Sequence, residues 1–454
     1  MLKQEKYKEL IKSLQEKYPK PVLYKQIDVS KYQPTYFRFG NFRGKGEKDF
    51  LLVRIRGYCL EMMAALSLEG EVLWEREFNK NYLWKSYGAV MPNPKTIDID
   101  GDGIDEIICL YEGKIGIIDG STGRTKTERM LFNNGPLFGA HNSLAAPDMN
   151  IYIANLRGTP IPSDIVVKDS DSGGGSTVWA LDNELNLIWT YQQRQPLHGH
   201  HFNFWDIDGD GKEEVLAGYT MIDHDGKEIW RMEDCENTYR FAYARHVDSE
   251  AIGEFDGDES NGPEVAMVCG SEGFILLDGR TGKIRRQHII GHAQGITVGK
   301  FRKDIEGLQM WVGTRWGNFG IMVLFDGKGD VLYRFQPDFY TQGGPPVNWS
   351  GDGEELLLLL TPSDAFGLYD AYGRKIFGFD NKLSRSDSFN AWPIAWAKDI
   401  IGDERDEIIY GNKNYINIYT QDEPFRGERI YAPIRRERFE IPWVSFPRWK
   451  KLHT

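Results

Sequence analysis

One acidic loop recurs along the whole chain and constrains its fold more than any other feature. The loop is rich in Gly and Asp and is followed by a β-branched or aliphatic run, as in IDIDGDGIDEIICLY at 97–111 and WDIDGDGKEEVLAGY at 205–219. Such a segment predicts a turn followed by a buried strand. The polar residues that begin the predicted strands are Asp49, Glu106, Asp164, Glu214, Glu264, Gln309, Glu355 and Glu407.

The spacing of these eight residues predicts a repeat architecture. Consecutive copies are 45 to 58 residues apart, which is the length of one four-stranded propeller blade. A second element follows each copy: an apolar strand, a tight turn with hairpin chemistry and another strand, as in ILLDGRTGKIRRQ at 275–287. Two elements that alternate eight times predict an all-β chain folded as an eight-bladed β-propeller.

The two ends of the chain differ from the repeats. Residues 1–20 predict a short amphipathic N-terminal helix, residues 21–425 the eight-bladed propeller, and residues 426–454 a C-terminal tail that packs on the propeller or closes it. The N-terminal segment lacks the apolar stretch and the small-residue cleavage site of a secretory leader, and no run of 18 apolar residues occurs. We therefore expect a cytoplasmic protein without a membrane partner.

The charge of the chain excludes one class of partner. The formal net charge is −12, whereas binding to nucleic acid phosphates requires a basic surface. We therefore expect no nucleic acid partner.

Two copies of the acidic loop have the spacing of a metal site. The pattern DxDGDGxxE places carboxylates at alternate positions of a tight turn, and its glycines permit positive φ angles. Calcium, which accepts about six to eight oxygen ligands in a flexible geometry, suits such a loop. A structural Ca²⁺ is the first interpretation; a Ca²⁺ that also contacts substrate and a solvated turn without metal are the alternatives. The predicted ligands are Asp98, Asp100, Asp102 and Glu106 in the first loop and Asp206, Asp208, Asp210 and Glu214 in the second.

The other copies match the metal pattern less well. Asp256 and Asp258 are also predicted ligands, although the insertion ESNGP interrupts the pattern after them. The loops that precede Asp49, Asp164 and Gln309 lack the carboxylates and are predicted to bind no metal.

Six of the nine histidines fall at one position of the repeat, directly before the acidic loop. In a propeller this segment is the best candidate for the strand that lines the central channel. A histidine there could bond a neighbouring carbonyl or bind a transition metal. Clustered imidazoles beside Arg and Tyr are more typical of a site that abstracts a proton from a polar ligand. These six residues are His141, His198, His200, His201, His246 and His292.

Further polar and aromatic residues share or adjoin this position. The tryptophans among them could stack on sugar rings or pack in the core. The full set is Tyr36, Tyr87, Asn142, Asn203, Arg245, Gln294, Trp316 and Trp392.

Several of these segments together resemble a known family. They are GHHFNFWDIDGDGKEEVLAG with the following MIDHDGKEIW, then RHVDSEAIGEFDGD, and GHAQGITVGKF. The combination resembles the rhamnogalacturonan lyases of polysaccharide lyase family eleven, which are calcium-binding eight-bladed propellers. The resemblance spans residues 30–420 and is most specific from 198 to 301. Blade 5 departs from it, because the chain has RHVD where the family more often has a GHGD-like run.

The resemblance implies β-elimination at a uronate next to rhamnose, in an acidic plant-type or gum-type oligosaccharide such as pectin fragments. The base would be His200 or His201, with His246 or His292 as its partner. Arg245 or a calcium ion would neutralise the uronate carboxylate. Tyr36 and Tyr87 are candidates for the acid that protonates the leaving oxygen. The candidate substrate-binding residues are His141, Asn142, His198, Asn203, Gln294, Trp316 and Trp392.

Other functions remain open on the residues alone. A glycoside hydrolase acting on rhamnose–glucuronate bonds would need two carboxylates, and Asp248 and Glu250 would share one face of a strand. A calcium-dependent sugar-binding propeller without catalysis would need the loops and not the histidines. A quinone-dependent dehydrogenase shares the hairpin pattern but usually carries a secretion signal.

Overall fold

The fold is given by a computed structural model, which describes most of the chain. In the part of the chain that it describes, no helix is both long and apolar enough to cross a lipid bilayer. The described residues are 2–56, 59–79, 94–130, 150–168, 177–193, 199–233, 235, 246–315, 320–338, 343–361, 364–379, 394–427, 431–435 and 447–451.

Eight sheets of four strands make up most of the described chain. They are the blades of an eight-bladed β-propeller, which confirms the predicted all-β fold class. The helix α1, Leu2–Gln15, confirms the predicted N-terminal helix, and the strand β1, Pro21–Asp28, follows it.

By its internal contacts the chain divides into two compact units. The N-terminal unit comprises residues 27–236 and 412–415, and the C-terminal unit comprises residues 1–26, 237–411 and 416–454. The N-terminal unit contains blades 1 to 4. Their strands are, for blade 1, β2 (Tyr36–Gly40), β3 (Asp49–Arg56), β4 (Cys59–Leu66) and β5 (Val72–Glu77); for blade 2, β6 (Lys95–Ile97), β7 (Glu106–Tyr111), β8 (Lys114–Ile118) and β9 (Thr125–Met130); for blade 3, β10 (Asn150–Ala154), β11 (Asp164–Lys168), β12 (Thr177–Leu181) and β13 (Leu187–Gln192); and for blade 4, β14 (Phe202–Trp205), β15 (Glu214–Ala217), β16 (Thr220–Ile222) and β17 (Glu228–Arg231).

The C-terminal unit contains the remaining blades. A 3₁₀ turn, Glu259–Asn261, lies in the blade 5 loop, and a two-stranded hairpin ends the described chain. The strands are, for blade 5, β18 (Ser249–Gly253), β19 (Glu264–Val268), β20 (Phe274–Asp278) and β21 (Ile284–His288); for blade 6, β22 (His292–Gly299), β23 (Gln309–Arg315), β24 (Met322–Phe325) and β25 (Val331–Phe335); for blade 7, β26 (Pro346–Val347), β27 (Leu356–Leu359), β28 (Gly367–Tyr369) and β29 (Lys375–Gly378); for blade 8, β30 (Ile394–Lys398), β31 (Glu407–Gly411) and β32 (Tyr415–Gln421); and for the hairpin, β33 (Tyr431–Arg435) and β34 (Pro447–Lys451).

The polar residue at the start of the second strand is buried in all eight blades, and in seven of them it accepts a hydrogen bond from a backbone amide of the loop before it. Glu106 is 1% exposed, and its Oε2 atom accepts a hydrogen bond from the Ile99 amide at 3.1 Å. In blade 6 the amide oxygen of Gln309 accepts the equivalent bond from the Arg302 amide at 2.7 Å. A buried acceptor at this position satisfies loop amides that no strand can pair with. The repeat of polar residues in the sequence therefore has a structural cause.

The segment before each loop forms the first strand of its blade, and within each unit first strands of neighbouring blades are in contact. In the N-terminal unit β6 contacts both β2 and β10, and in the C-terminal unit β22 contacts both β18 and β26. The Ser249 hydroxyl joins two such strands, since it accepts a hydrogen bond from the Ile296 amide at 3.1 Å. Apolar side chains fill the space between blades, as where Ile117, Ile165 and Trp179 pack together.

Blade 8 combines one strand from the N-terminal part of the sequence with three strands from its C-terminal part. Its strand order is β1-β32-β31-β30, so the fourth strand comes from the N-terminus. The helix before β1 is fixed to the neighbouring blade, because the Trp349 indole donates to the Pro19 carbonyl at 2.8 Å and Leu14 packs in the same cluster. The sequence predicts a strand, a turn and a second strand after each acidic loop; in blade 8 the structure instead pairs β32, the strand after β31, with β1.

Candidate functional site

A buried carboxylate in the C-terminal unit lies between two of the predicted histidines. Asp248, directly before β18, is 2% exposed. Its Oδ1 atom lies 3.2 Å from His246 Nε2, and its Oδ2 atom lies 3.3 Å from His292 Nε2. The centroids of the two imidazole rings are 5.7 Å apart. The ends of two neighbouring first strands thus bring His246 and His292, the predicted partners of the base, into one cluster.

Two further groups fix the orientation of the Asp248 carboxylate. The side-chain amide of Gln294, a predicted substrate-binding residue, donates to Oδ1, and the Gly270 amide donates to Oδ2 at 3.1 Å. An imidazole that donates its Nε2–H to this carboxylate keeps a lone pair on Nδ1. The side chains of His246 and His292 are 18% and 9% exposed. The cluster can therefore accept a proton from a ligand and stabilise the resulting imidazolium.

The predicted base residues lie in the N-terminal unit. His200 and His201 directly precede β14, and the centroids of their rings are 6.4 Å apart. His201 is 9% exposed. Their backbone is held by Lys168, which is fully buried at the end of β11 and donates to the carbonyls of Gly199 and His200. Sequence reasoning did not single out Lys168; the available signal was a lysine that ends the otherwise apolar run IVV.

First strands of the N-terminal unit carry aromatic and basic side chains side by side. Arg38 lies over the Tyr36 ring at 5.0 Å, and both residues are buried in β2. Burial raises the pKa of Tyr36, so the phenol keeps its proton. Lys95 lies over the Tyr152 ring at 5.9 Å, and this ring stacks on Phe202 at 5.4 Å.

Asn203, a predicted substrate-binding residue, is 1% exposed in β14. The other predicted residues fall outside the described part of the chain and remain predictions. They are Tyr87, His141, Asn142, His198, Arg245, Trp316 and Trp392.

The loop of blade 2 brings together carboxylates that could hold a metal ion. Ligand atoms of Asp98, Asp100 and Glu106 lie within 4.8 Å of one another. The Asp98 carboxylate shapes the turn, since it accepts the amides of Gly101 at 2.7 Å and Gly103 at 3.0 Å.

Asp102, the fourth predicted ligand of the blade 2 loop, closes the turn through its Oδ1 atom, which accepts the Ile104 amide at 2.8 Å. Burial is the main cause that raises the pKa of Glu106 to about 7.

The loop of blade 4 has the same internal hydrogen bonds. The Asp206 carboxylate accepts the amides of Gly209 at 2.7 Å and Gly211 at 3.1 Å. Ligand atoms of Asp206, Asp208 and Asp210 lie within 4.8 Å of one another, as do those of Asp210, Glu214 and His224. These donors are the oxygen type that a hard divalent cation prefers, with one imidazole at the side.

The third predicted loop, in blade 5, uses its carboxylates differently. Asp258 Oδ1 accepts the Ser260 amide at 3.1 Å and the Ser260 hydroxyl at 2.6 Å. Asp256 Oδ2 accepts the side-chain amide of Asn261 at 2.9 Å. Residues of the insertion thus donate hydrogen bonds to the two carboxylates that were predicted to bind the metal. Among the described residues this loop presents no three ligand atoms close enough to share one ion.

A family model covers most of the propeller. The model of the rhamnogalacturonan lyase family 11 C-terminal domain matches residues 157–440. Two curated relatives come from Bacillus subtilis (strain 168). Rhamnogalacturonan endolyase YesW is 24% identical over 293 residues, which are 60% of this chain and 43% of YesW. Rhamnogalacturonan exolyase YesX is 26% identical over 392 residues, which are 73% of this chain and 59% of YesX. The chain therefore spans about half the length of the curated relatives that it matches.

Solved structures show the same fold. The crystal structure of rhamnogalacturonan lyase YesW superposes with a TM-score of 0.66 at 17% identity and covers 95% of this chain and 80% of that one. The Bacillus licheniformis rhamnogalacturonan lyase gives a TM-score of 0.62 at 19% identity, covering 91% of this chain and 77% of that one. The family model spans well over half of the sequence, including every residue of the Asp248 cluster, and the chain belongs to rhamnogalacturonan lyase family 11.

Proposed function

We propose that the protein is a polysaccharide lyase that cleaves a rhamnose–uronate linkage of a rhamnogalacturonan-like oligosaccharide by β-elimination. The observation that carries this proposal is the Asp248 carboxylate between His246 and His292. Membership of the rhamnogalacturonan lyase family supports the substrate class.

The proposed reaction moves one proton and breaks one C–O bond. A base takes the C5 proton of the uronate, the C5–H electrons form the C4–C5 double bond, and the C4–O bond breaks. An acid protonates the departing oxygen. One imidazole of the cluster, oriented by Asp248, serves as the base through its Nδ1 atom. The other imidazole is placed to take part in the second proton transfer, to the departing oxygen. Arg245, adjacent to His246 in the chain, stays the predicted cation for the uronate carboxylate.

The position of the predicted hydrolase pair favours elimination over hydrolysis. A hydrolase needs one carboxyl group as an acid and a second that acts on water or on the sugar. Asp248 is engaged by two imidazoles and a backbone amide, and Glu250 is 1% exposed inside β18. Carboxylates so placed suit orientation of the histidines better than direct attack.

The test is the ultraviolet absorbance of the unsaturated uronate product. Substrates are rhamnogalacturonan fragments and rhamnose–glucuronate oligosaccharides, and the variants are His246→Ala and His292→Ala. The control is His288→Gln, because His288 lies in β21 and bonds the Gly329 carbonyl at 2.9 Å, away from Asp248. We expect absorbance to rise with the wild type and the control and to be lost in the two alanine variants.

Two outcomes would contradict the proposal. New reducing ends without absorbance would indicate hydrolysis. Full elimination activity in both alanine variants would exclude the Asp248 cluster as the source of the base, and His200→Ala and His201→Ala would then test the base predicted from the sequence.

A further inference from the structure

Basic side chains pair with the polar residue that begins the second strand in blades 1 and 3. Arg43 Nη2 lies 2.7 Å from Asp49 Oδ1, and Arg157 Nε lies 2.5 Å from Asp164 Oδ1. Neither loop has the DxDGDG carboxylates. These two pairs show how the fold satisfies the buried acidic residue where no metal pattern exists.

Blade 2 has the metal pattern and nevertheless carries such a cation. Lys126 Nζ lies 2.9 Å from Glu106 Oε1 and 2.6 Å from Asp100 Oδ2. It therefore contacts two of the three carboxylates that could hold an ion. A lysine side chain carries a positive charge at neutral pH. An ammonium group there excludes a divalent ion by both volume and charge repulsion.

Blade 5 follows the same rule with an arginine. Arg285 Nη1 lies 2.6 Å from Glu264 Oε1, and its Nη2 atom lies 2.7 Å from Asp278 Oδ2. Arg285 and Lys126 occupy equivalent positions. Each lies three residues after the hairpin glycine, at a register shift between the third and fourth strands of its blade.

Blade 4 differs at this position. Its equivalent residue is Ile229, three residues after Gly226, at the corresponding register shift between β16 and β17. Ile229 is 44% exposed and has no charge to offer. The nearby Lys212 contacts Asp210 at 3.3 Å and the His224 ring at 3.0 Å. Within the described part of the chain no basic side chain forms an ion pair with Glu214.

The Glu214 carboxylate consequently has one satisfied and one unsatisfied oxygen. Its Oε2 atom accepts the Ile207 amide at 2.6 Å. Its Oε1 atom is buried and has no hydrogen-bond partner among the described residues. The side chain is 1% exposed, and its ligand atom lies within 4.8 Å of those of Asp210 and His224. A buried carboxylate oxygen without a partner is costly unless a cation satisfies it.

We infer that, of the three predicted metal loops, two have the place of the metal ion taken by a basic side chain, Lys126 or Arg285. The third loop, Asp206–Glu214, binds a divalent cation. Calcium fits the oxygen donors of that loop, Asp206, Asp208, Asp210 and Glu214. The residue at the register shift of the fourth strand, which we call the bulge residue, thus determines whether the loop binds metal.

The first test compares one ligand substitution in each loop. Asp208→Asn acts on the blade 4 loop and Asp100→Asn on the blade 2 loop. Calcium binding is measured by calorimetry, and Tb³⁺ binding by luminescence sensitised by Trp205, which directly precedes Asp206. We expect Asp208→Asn to weaken calcium binding by more than roughly tenfold and to reduce the calcium-dependent rise in Tm. Asp100→Asn should leave both unchanged; an equal loss in both variants would overturn the inference.

The second test exchanges the bulge residues. Ile229→Lys should abolish calcium binding by the blade 4 loop without lowering Tm in chelator, because the residue is exposed and the ammonium group can reach the same carboxylates. Lys126→Met should add one bound ion per chain. If Lys126→Met folds poorly in chelator, calcium should restore its Tm to the wild-type value. Unchanged calcium binding in Ile229→Lys, or neither an added ion nor a calcium-dependent rescue in Lys126→Met, would refute the inference.

Discussion

Asp248 combines deep burial with contacts to two imidazoles, a side-chain amide and a backbone amide. Under the proposed function, Asp248 sets the tautomer and the orientation of the His246 and His292 rings rather than contacting the sugar itself. A carboxylate is suited to this role because it can accept several hydrogen bonds at once. Its removal therefore affects the reaction through His246 and His292.

We predict that Asp248→Asn lowers kcat by about 10²–10⁴-fold, because the amide can accept at one atom only and the imidazoles lose their fixed tautomer. KM should change much less, and the pH profile of kcat/KM should shift, which a purely structural role would not cause. Steady-state kinetics across pH, with Tm as the fold control, provide the measurement. A variant with normal kcat at every pH would contradict the positioning role.

Burial raises the pKa of Glu407, the first residue of β31 in blade 8, from 4.5 to about 7, although the Ile400 amide and the Thr420 hydroxyl lower it. A carboxyl whose folded-state pKa is raised stabilises the fold below its unfolded pKa. That stability is lost as pH rises through the folded pKa. The loss amounts to at most about 3 kcal/mol between pH 4.5 and 7.

We predict that Glu407→Gln flattens the dependence of Tm on pH across this range, measured in chelator. Glutamine suits the position, because Gln309 makes the equivalent loop bond in blade 6. The reverse variant, Gln309→Glu, should steepen the same dependence. Parallel Tm curves for the wild type and Glu407→Gln would show that Glu407 does not titrate between these pH values.

At the scale of elements, the blades are joined by an aromatic residue on one fourth strand and a hairpin glycine on the next blade. The Trp74 indole donates to the Gly120 carbonyl at 2.6 Å and lies against Gly123, where an added Cβ would be 2.6 Å from the ring. Trp189 has the same relation to Gly226, at 2.9 Å. The aromatic residues that recur in the hairpins of the sequence therefore serve contacts between blades.

We predict that Gly123→Ala destabilises the protein by about 2–4 kcal/mol, through strain at its positive φ of 71° and a clash with Trp74. Gly46→Ala is the matched control: its φ is 72°, but nothing lies within 4 Å of an added Cβ. It should cost about 1 kcal/mol from strain alone. Chemical denaturation of both variants measures the difference, and equal losses would exclude the contribution of packing.

The loop and strand pattern was predictable because each repeat depends on a buried polar residue that is close in sequence to the loop it fastens. The prediction of eight blades follows from the spacing of these residues together with the strand–turn–strand element that alternates with them. The contacts of Lys126 were not predictable in the same way, since this lysine reaches Glu106 from twenty residues further along the chain. Its position depends on a bulge whose register the sequence does not display.

The cluster around Asp248 was predictable from the sequence only in part. The position of His246 and His292 before their loops placed both on neighbouring first strands, and the structure brings them together. The Gly270 amide could not be foreseen, because backbone donors leave no trace in residue identity.

At the scale of the whole molecule, one sheet joins the first and last parts of the sequence. In blade 8, β1 lies beside β32, and the Gln26 side chain donates to the Asn417 side chain at 2.8 Å. A sheet that lost β1 would expose the unpaired backbone of β32 as a new edge.

We predict that deletion of residues 1–28 lowers Tm strongly and causes aggregation, whereas deletion of residues 1–15 has a smaller effect. The shorter deletion removes α1 and the packing of Leu14 but keeps β1. Thermal denaturation and size-exclusion chromatography distinguish the two variants. A monomeric protein of normal Tm after the longer deletion would show that β1 is dispensable.

The pairing of β1 with β32 also has a consequence for biosynthesis. β1 is translated before every other strand that the structure describes, and its neighbour in the sheet is made almost four hundred residues later. Blade 8 is therefore completed only after the other seven blades have been translated, whereas those blades can form in order. The wide separation adds little thermodynamic cost, because loop-closure entropy grows only with the logarithm of length. Completion of this sheet is therefore the last step in the assembly of the eight blades.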